Sequence, residues 1–224
     1  MGTPYNPINM YNDFNRFPNL DGIEYKMVNA LLCSDSKYAE NIWKLLYYAT
    51  PDALMHDNLT LQQKASLICV ENNTEETGKR VFITPYINDG WTEETAHIHI
   101  YVDALHSPNH IVSNVHVCIE TIVHSKTGTI LSDVNEADAN PNDSDVNGVP
   151  IVLRKNRATV LLKNVLALFN GMFLDGIGQL QFNQSIDPYC VSTQYLWNSR
   201  AYYGHTTRMV IKMSGASTSP NTGF

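Results

Sequence analysis

The sequence predicts an α+β fold: N-terminal helices followed by a mostly antiparallel β-sheet, covered by one long amphipathic helix, with extended arms at both termini. Three observations predict it. Apolar residues at Val160, Leu161, Leu162, Val165, Leu166, Leu168 and Phe169 recur at the three-and-four spacing of a helix that needs a sheet to cover. Residues 95–103 and 114–123 alternate with period two, as half-buried strands do. Between residues 21 and 79, apolar segments start at capping residues and keep helical spacing.

Residues 1–20 read as an extended arm, because Pro4, Pro7 and Pro18 each fix the backbone and remove a donor. Its Tyr5, Tyr11, Phe14 and Phe17 are costly to leave in water, so the arm is expected to lie against the body or a neighbouring subunit. The helical segment 21–79 holds three helices. One carries Ile23, Met27, Val28, Leu31 and Leu32; a second, capped by Ser34 or Asp35, carries Ile42, Trp43, Leu45 and Leu46 and breaks at Thr50-Pro51. The third begins at Asn58 or Thr60 and puts Leu61, Ala65, Ile68 and Cys69 on its covered side, with Gln62, Gln63 and Lys64 towards water.

Residues 80–213 form the expected α+β core. A first strand from Val81 is weakened by Pro85, which suits an edge. The next two put Ala96, Ile98, Ile100 and Val102, then Val115, Val117, Ile119, Thr121 and Val123, on one face. A long loop over residues 125–150 leads to the amphipathic helix, which stops at Asn170-Gly171. Asp175-Gly176-Ile177-Gly178 then turns the chain into Leu180–Phe182, an aromatic segment runs to Trp197, and a last strand spans Tyr203 to Met213. Residues 214–224 read as a flexible tail. Arg154, Lys155 and Arg157 sit where the long helix begins, against the sign its dipole favours. Either they answer to something outside the helix, or the helix starts near Ala158 and they are solvated.

A net charge of −7 and a pI near 5.5 argue against a phosphate-gripping surface. Cys33, Cys69, Cys118 and Cys190 have no CxxC spacing and read as reduced core residues. No apolar run approaches the roughly 20 residues that span a bilayer, and the N-terminus lacks a signal-peptide pattern, so synthesis in a cytoplasm is expected.

His97 and His99 share one face of a strand, and His116 and His124 share the face of the next strand opposite its valines. Three of them could reach a zinc ion; the alternative is the solvent side of a half-buried sheet. Asp143-Ser-Asp145-Val-Asn147-Gly148 fits the first half of a calcium loop, but Arg154 stands where the bidentate Glu belongs, and a solvated acidic turn accounts for the same residues. There is no GxSxG elbow and no GxxxxGK[ST] loop. Tyr189, Tyr195, Trp197, Tyr202 and Tyr203 can stack on a sugar or base, or fill a core or subunit contact. No catalytic, cofactor-binding or metal-ligating residue is assigned, and no enzyme is expected.

Five segments together resemble a known family: Ile119-Glu-Thr-Ile-Val-His124, the long loop, the helix end Leu168-Phe-Asn-Gly171, the strand entry Gly176-Ile-Gly-Gln-Leu180, and Tyr203-Gly-His with Met209-Val-Ile211. Over Arg80 to Met213 the chain is similar to the neck and tail-completion proteins of tailed bacteriophages. The resemblance implies a structural virion protein that forms a homo-oligomeric ring between portal and tail. Its partners would be copies of itself, portal or adaptor and tail proteins, and genomic DNA passing the lumen without sequence-specific contacts; no membrane is implied. The alternatives are another virion component (tail terminator, baseplate or capsid accessory protein) and a calcium-dependent binding module.

Overall fold

Strand β3 (Val112–His124) and strand β9 (Tyr202–Ser214) run antiparallel over thirteen consecutive pairs, from Val112 opposite Ser214 to His124 opposite Tyr202. The remaining elements are arranged on this long pair. The structure, a computed structural model, describes residues 22–69, 78–85, 93–106, 112–131, 154–181, 191–195 and 201–214. In it α1 (Ile23–Cys33), α2 (Lys37–Tyr47) and α3 (Leu61–Ser66) precede β1 (Val81–Phe82) and β2 (Ala96–His106). After β3 come the short pair β4 (Thr129–Leu131) and β5 (Arg154–Asn156), then α4 (Arg157–Phe169), the hairpin β6 (Phe173–Leu174) and β7 (Gly178–Gln181), β8 (Val191–Tyr195) and β9.

The main sheet has the order β1-β2-β3-β9-β7-β6, and β8 pairs the lower half of β9. Every pairing is antiparallel except β1 with β2. This is the α+β class read from the sequence: short N-terminal helices, a curled and mostly antiparallel sheet, and a helix packed on it. Among the described residues no helix is long and apolar enough to cross a membrane.

Alternation explains the core. Ile98 and Ile100 of β2, Val115, Val117 and Ile119 of β3, and Met209 and Ile211 of β9 point to one face. Over them lie Ile23, Met27 and Leu31 of α1, Trp43 and Leu46 of α2, and Leu161, Val165 and Phe169 of α4, in one buried cluster. Each fully buried side chain of this size is worth roughly 1.5–3 kcal/mol. Trp43 also donates its indole N–H to Leu31 O at 3.1 Å, satisfying a carbonyl that the end of α1 would leave orphaned. Gly204 of β9 lies so close to β3 that a Cβ there would sit 1.9 Å from Thr121 O, so this strand position excludes any side chain.

Several expectations need correcting. The second helix is capped by Ser36, whose hydroxyl accepts from Ala39 N–H at 3.2 Å, rather than by Ser34 or Asp35. Helix α3 starts at Thr60 in a capping box with Gln63, yet it stops at Ser66, because Ile68 must bridge to Val81. Its covered side differs in part: Ile68 is buried and Gln62 exposed as expected, but Leu61 is 63% exposed, Ala65 is exposed, and Lys64 is buried in an ion pair with Glu40 of α2. Strands β4, β5, β6 and β8 are too short or too polar to register as alternating runs. Cys33 is exposed and Cys69 half-buried, so of the described cysteines Cys118 alone fits a core residue. The arm 1–20, most of the loop 125–150 and the tail after Ser214 lie outside the described residues.

The basic start of the long helix has a definite answer. The N-cap is Asn156, whose side chain accepts from Ala158 and Thr159 N–H, so Arg157 belongs to the helix. Arg154 is exposed and Lys155 half-buried, but Arg157 is 1% exposed and points away from its own helix. Its guanidinium donates to Leu45 O and Tyr48 O through Nη1, to Ala49 O and Thr50 O through Nη2, and to Thr127 O through Nε, at 2.6–3.2 Å. It therefore closes the C-terminal end of α2, where carbonyls lack helical partners and the dipole favours a cation. Replacing Arg157 by Ala is expected to destabilise the protein by about 3–5 kcal/mol, since five carbonyls lose their donor, and to lower Tm by about 6–12 °C or more. Arg157→Lys should recover less than half of the loss, because one ammonium cannot serve a planar five-carbonyl ring. Thermal melts of the two variants beside the wild type check this.

Candidate functional site

The face of the sheet turned away from the helices gathers the ionisable side chains. It receives His97, His99, Tyr101 and Asp103 from β2, His116, Cys118, Glu120 and His124 from β3, and Tyr202, Thr206 and Arg208 from β9. Pairing register sets the neighbours: His99 lies opposite Glu120 and Glu120 opposite Thr206, while Tyr101 lies opposite Cys118 and Cys118 opposite Arg208.

One half of this face is closed. His97 and His99 are 2% and 0% exposed, which corrects the expectation that they face solvent. The covering groups come from the segment around β1: the Phe82 ring stacks on His99 at 4.9 Å, and Thr84 O accepts from His99 Nδ1 at 2.7 Å. A carbonyl only accepts, so Nδ1 carries the proton of that imidazole. His97 Nε2 lies 3.0 Å from Thr95 Oγ1, and the Tyr202 ring meets His124 edge-on at 4.9 Å. Tyr202 donates its hydroxyl to Glu93 O at 2.8 Å, and Glu93 pairs with Arg80 at 2.5 Å, which ties down the polypeptide on either side of residues 86–92. Burial holds His99 down to about 4, and burial, the Arg80 guanidinium and His99 hold His97 well below the ordinary imidazole value. Both rings are neutral at pH 7.

The other half is more open. Tyr101 donates its hydroxyl to Glu120 Oε1 at 2.9 Å. Arg208 reaches across β3 to Asp103, with Nε 2.8 Å from Oδ2, and Cys118 lies in the strand between them. Burial pushes the Cys118 thiol up to about 11, reinforced by Glu120 and Asp103 against the opposing pull of Tyr101. It also raises the Glu120 carboxyl, opposed by the Tyr101 hydrogen bond and aided by Asp103. A thiol in that state is neither a good nucleophile nor a soft metal ligand at neutral pH.

The structure thus brings His97, His99 and His124 to one end of the face and leaves His116 apart. Eight residues separate His116 from His124 along β3, about 26 Å at a strand's rise, so the two cannot share an ion. Among the described residues no group of three or more His, Cys, Asp or Glu side chains is arranged to hold a metal. The calcium-like residues 143–148 lie outside the described chain, as do Tyr189 and Trp197. Tyr202 is a core residue, and Tyr203 donates its hydroxyl to Gly128 O and Asn156 Oδ1, so these two members of the aromatic segment are structural.

The buried histidines give a signed pH dependence. Between about pH 6.5 and 4 the unfolded chain binds protons that the native chain refuses, so stability is complete above about 6.5 and falls with pH below it. For His99 alone the difference amounts to roughly 3 kcal/mol by about pH 4. Urea unfolding of wild type and His99→Gln, at neutral pH and near pH 4.5, should show the wild type losing markedly more stability on acidification than the variant. Equal losses would mean that His99 titrates normally.

No solved structure and no curated protein matches this chain. A family model, YomW, matches residues 39–211, from α2 to within three residues of the end of β9. The chain belongs to the YomW family, which is phage-derived, and is therefore a phage- or prophage-encoded protein.

Proposed function

We propose that this protein is a structural component of the virion of a tailed double-stranded DNA phage, forming an oligomeric ring in the neck through which the genome passes. The observation that supports it best is where large apolar side chains meet solvent. Tyr25, Tyr38, Tyr47, Met55, Leu61 and Phe173 remain 41–71% exposed, on the helical layer and the β6–β7 hairpin. Exposed Tyr, Met and Phe are the residue types enriched in subunit contacts, and a ring needs two different patches repeated about its axis. On the sheet, in contrast, His97, His99 and Cys118 are buried, and Asp103 is paired with Arg208.

Partners follow from the reading: neighbouring copies of the same chain, portal or adaptor and tail proteins of the particle, and DNA in a lumen. With a net charge of −7 the chain suits a passage that does not grip phosphates. Synthesis would take place in the host cytoplasm, and residues 1–20 would clasp a neighbour.

Quantitative mass spectrometry of purified DNA-filled particles is expected to find a fixed, ring-sized number of copies relative to the portal subunit. Removing residues 1–20 should reduce incorporation while leaving the melting temperature of the isolated protein unchanged. Absence of the chain from particles would discard the virion reading altogether.

A further inference from the structure

The outer edge of β2 is a place where an antiparallel sheet is open to addition, because backbone amides there point away from the sheet. Every second residue of β2 directs its N–H outward. Ile98 N–H is taken by Arg80 O at 2.8 Å, at the start of β1. β1 ends at Phe82, and among the described residues no other strand lies outside β2. Four residues beyond Ile98, Val102 N–H donates instead to a carboxyl oxygen of Glu24, Oε1, at 3.1 Å. Glu24 comes from the first turn of α1, which is anchored by the fully buried Ile23, Met27 and Leu31. Immediately after Val102 the register shifts in a bulge, and Asp103 is drawn over the sheet to Arg208.

We propose that Glu24 is an edge guard: its carboxyl oxygen continues the row of acceptors that β1 begins, and by occupying the Val102 amide it prevents a strand of another copy from adding to β2. Three features act together. The strand outside β2 is only two residues long, the outward amide of Val102 beyond it is filled by a side chain, and the bulge turns the backbone after that. Beyond β9 the described sheet divides between β8, five residues long, and the hairpin of β7 with the two-residue β6, so the guard concerns the β2 edge alone. At the β2 edge, copies of this chain are thereby kept from strand addition, which continues without limit.

Two variants of the full chain test the guard. Glu24→Ala removes the acceptor; its Val102 amide should exchange about tenfold faster or more, and the protein should grow with concentration into thioflavin-positive species larger than the wild-type ones. Glu24→Ala combined with Val102→Pro removes the exposed amide itself, and growth should return to the wild-type level even though the double variant is the less stable of the two. The guard is overturned if Glu24→Ala shows no more growth than wild type. It is equally overturned if the double variant grows as fast as the single one, since unfolding rather than an open edge would then drive assembly.

Discussion

A buried guanidinium without a carboxylate among its hydrogen-bond partners holds the helical layer together. Arg157 stands at the first position of α4 and spends its donors on the carbonyls that follow and end α2, with one more in the turn before β4. Burial lowers its ionisation to about 10, opposed by Tyr203, yet it keeps its proton at neutral pH. The negative end of α2 takes the place of a counter-ion. Geometry makes arginine the residue for this task, because a rigid fork can meet several carbonyls at once. A second contact, Asn41 Nδ2 to Asn164 Oδ1 at 3.2 Å, sets the two helices in register further along. The position of α4 over β3 and β9, and so the shape of the apolar layer, depends on this clasp.

The two faces of the sheet use polar chemistry differently. On the helical side an apolar cluster is clasped at a few points by buried polar contacts, those of Arg157 and the Asn41–Asn164 pair. On the other side, histidines, a thiol, a phenol and a carboxyl are present in numbers that would normally attract a catalytic reading. Burial drives His97, His99, the Tyr101 phenol, the Cys118 thiol and the Glu120 carboxyl towards their neutral forms, and Phe82, Tyr202 and the Thr84 carbonyl fix the rings. A face so arranged contributes rigidity and a dependence on pH.

Where a pattern repeats, the sequence announced the structure. The stripe from Val160 to Phe169 and the alternation along β2 and β3 located α4 and the main strands within a few residues, because burial of a regular element imposes its own period. Capping chemistry narrowed the start of α3 to Asn58 or Thr60, of which the structure uses Thr60, and Gly171, at φ 84°, ends α4 where a left-handed residue was required. What could not be read depends on contacts distant in the chain. Lys64 is buried because Glu40 lies in another helix, and Leu61 is exposed because the helix ends too soon to cover it. His97 and His99 alternate as solvent-facing residues would, and only the return of the chain at residues 82–84 encloses them. Arg157, Lys155 and Arg154 look equivalent in sequence, yet a single one meets the end of α2. The Glu24 contact spans 78 residues and leaves no local signature.

The long pairing of β3 with β9 also governs the order in which this protein can be made. Its contacts join residues separated by 78 positions at one end, His124 with Tyr202, and 102 at the other, Val112 with Ser214. A ribosome delivers β2 and β3 as a two-stranded ribbon long before β9 exists, and such a ribbon is marginal in water on its own. Until residues 202–214 emerge, the inner edge of β3 is bare and α4 has half a sheet to lie on. Closure of the sheet is then a late, entropically slow step that brings β7 and β8 into place with it. The nascent chain is most exposed to misassembly in that interval, while the edge of β3 is open to other chains.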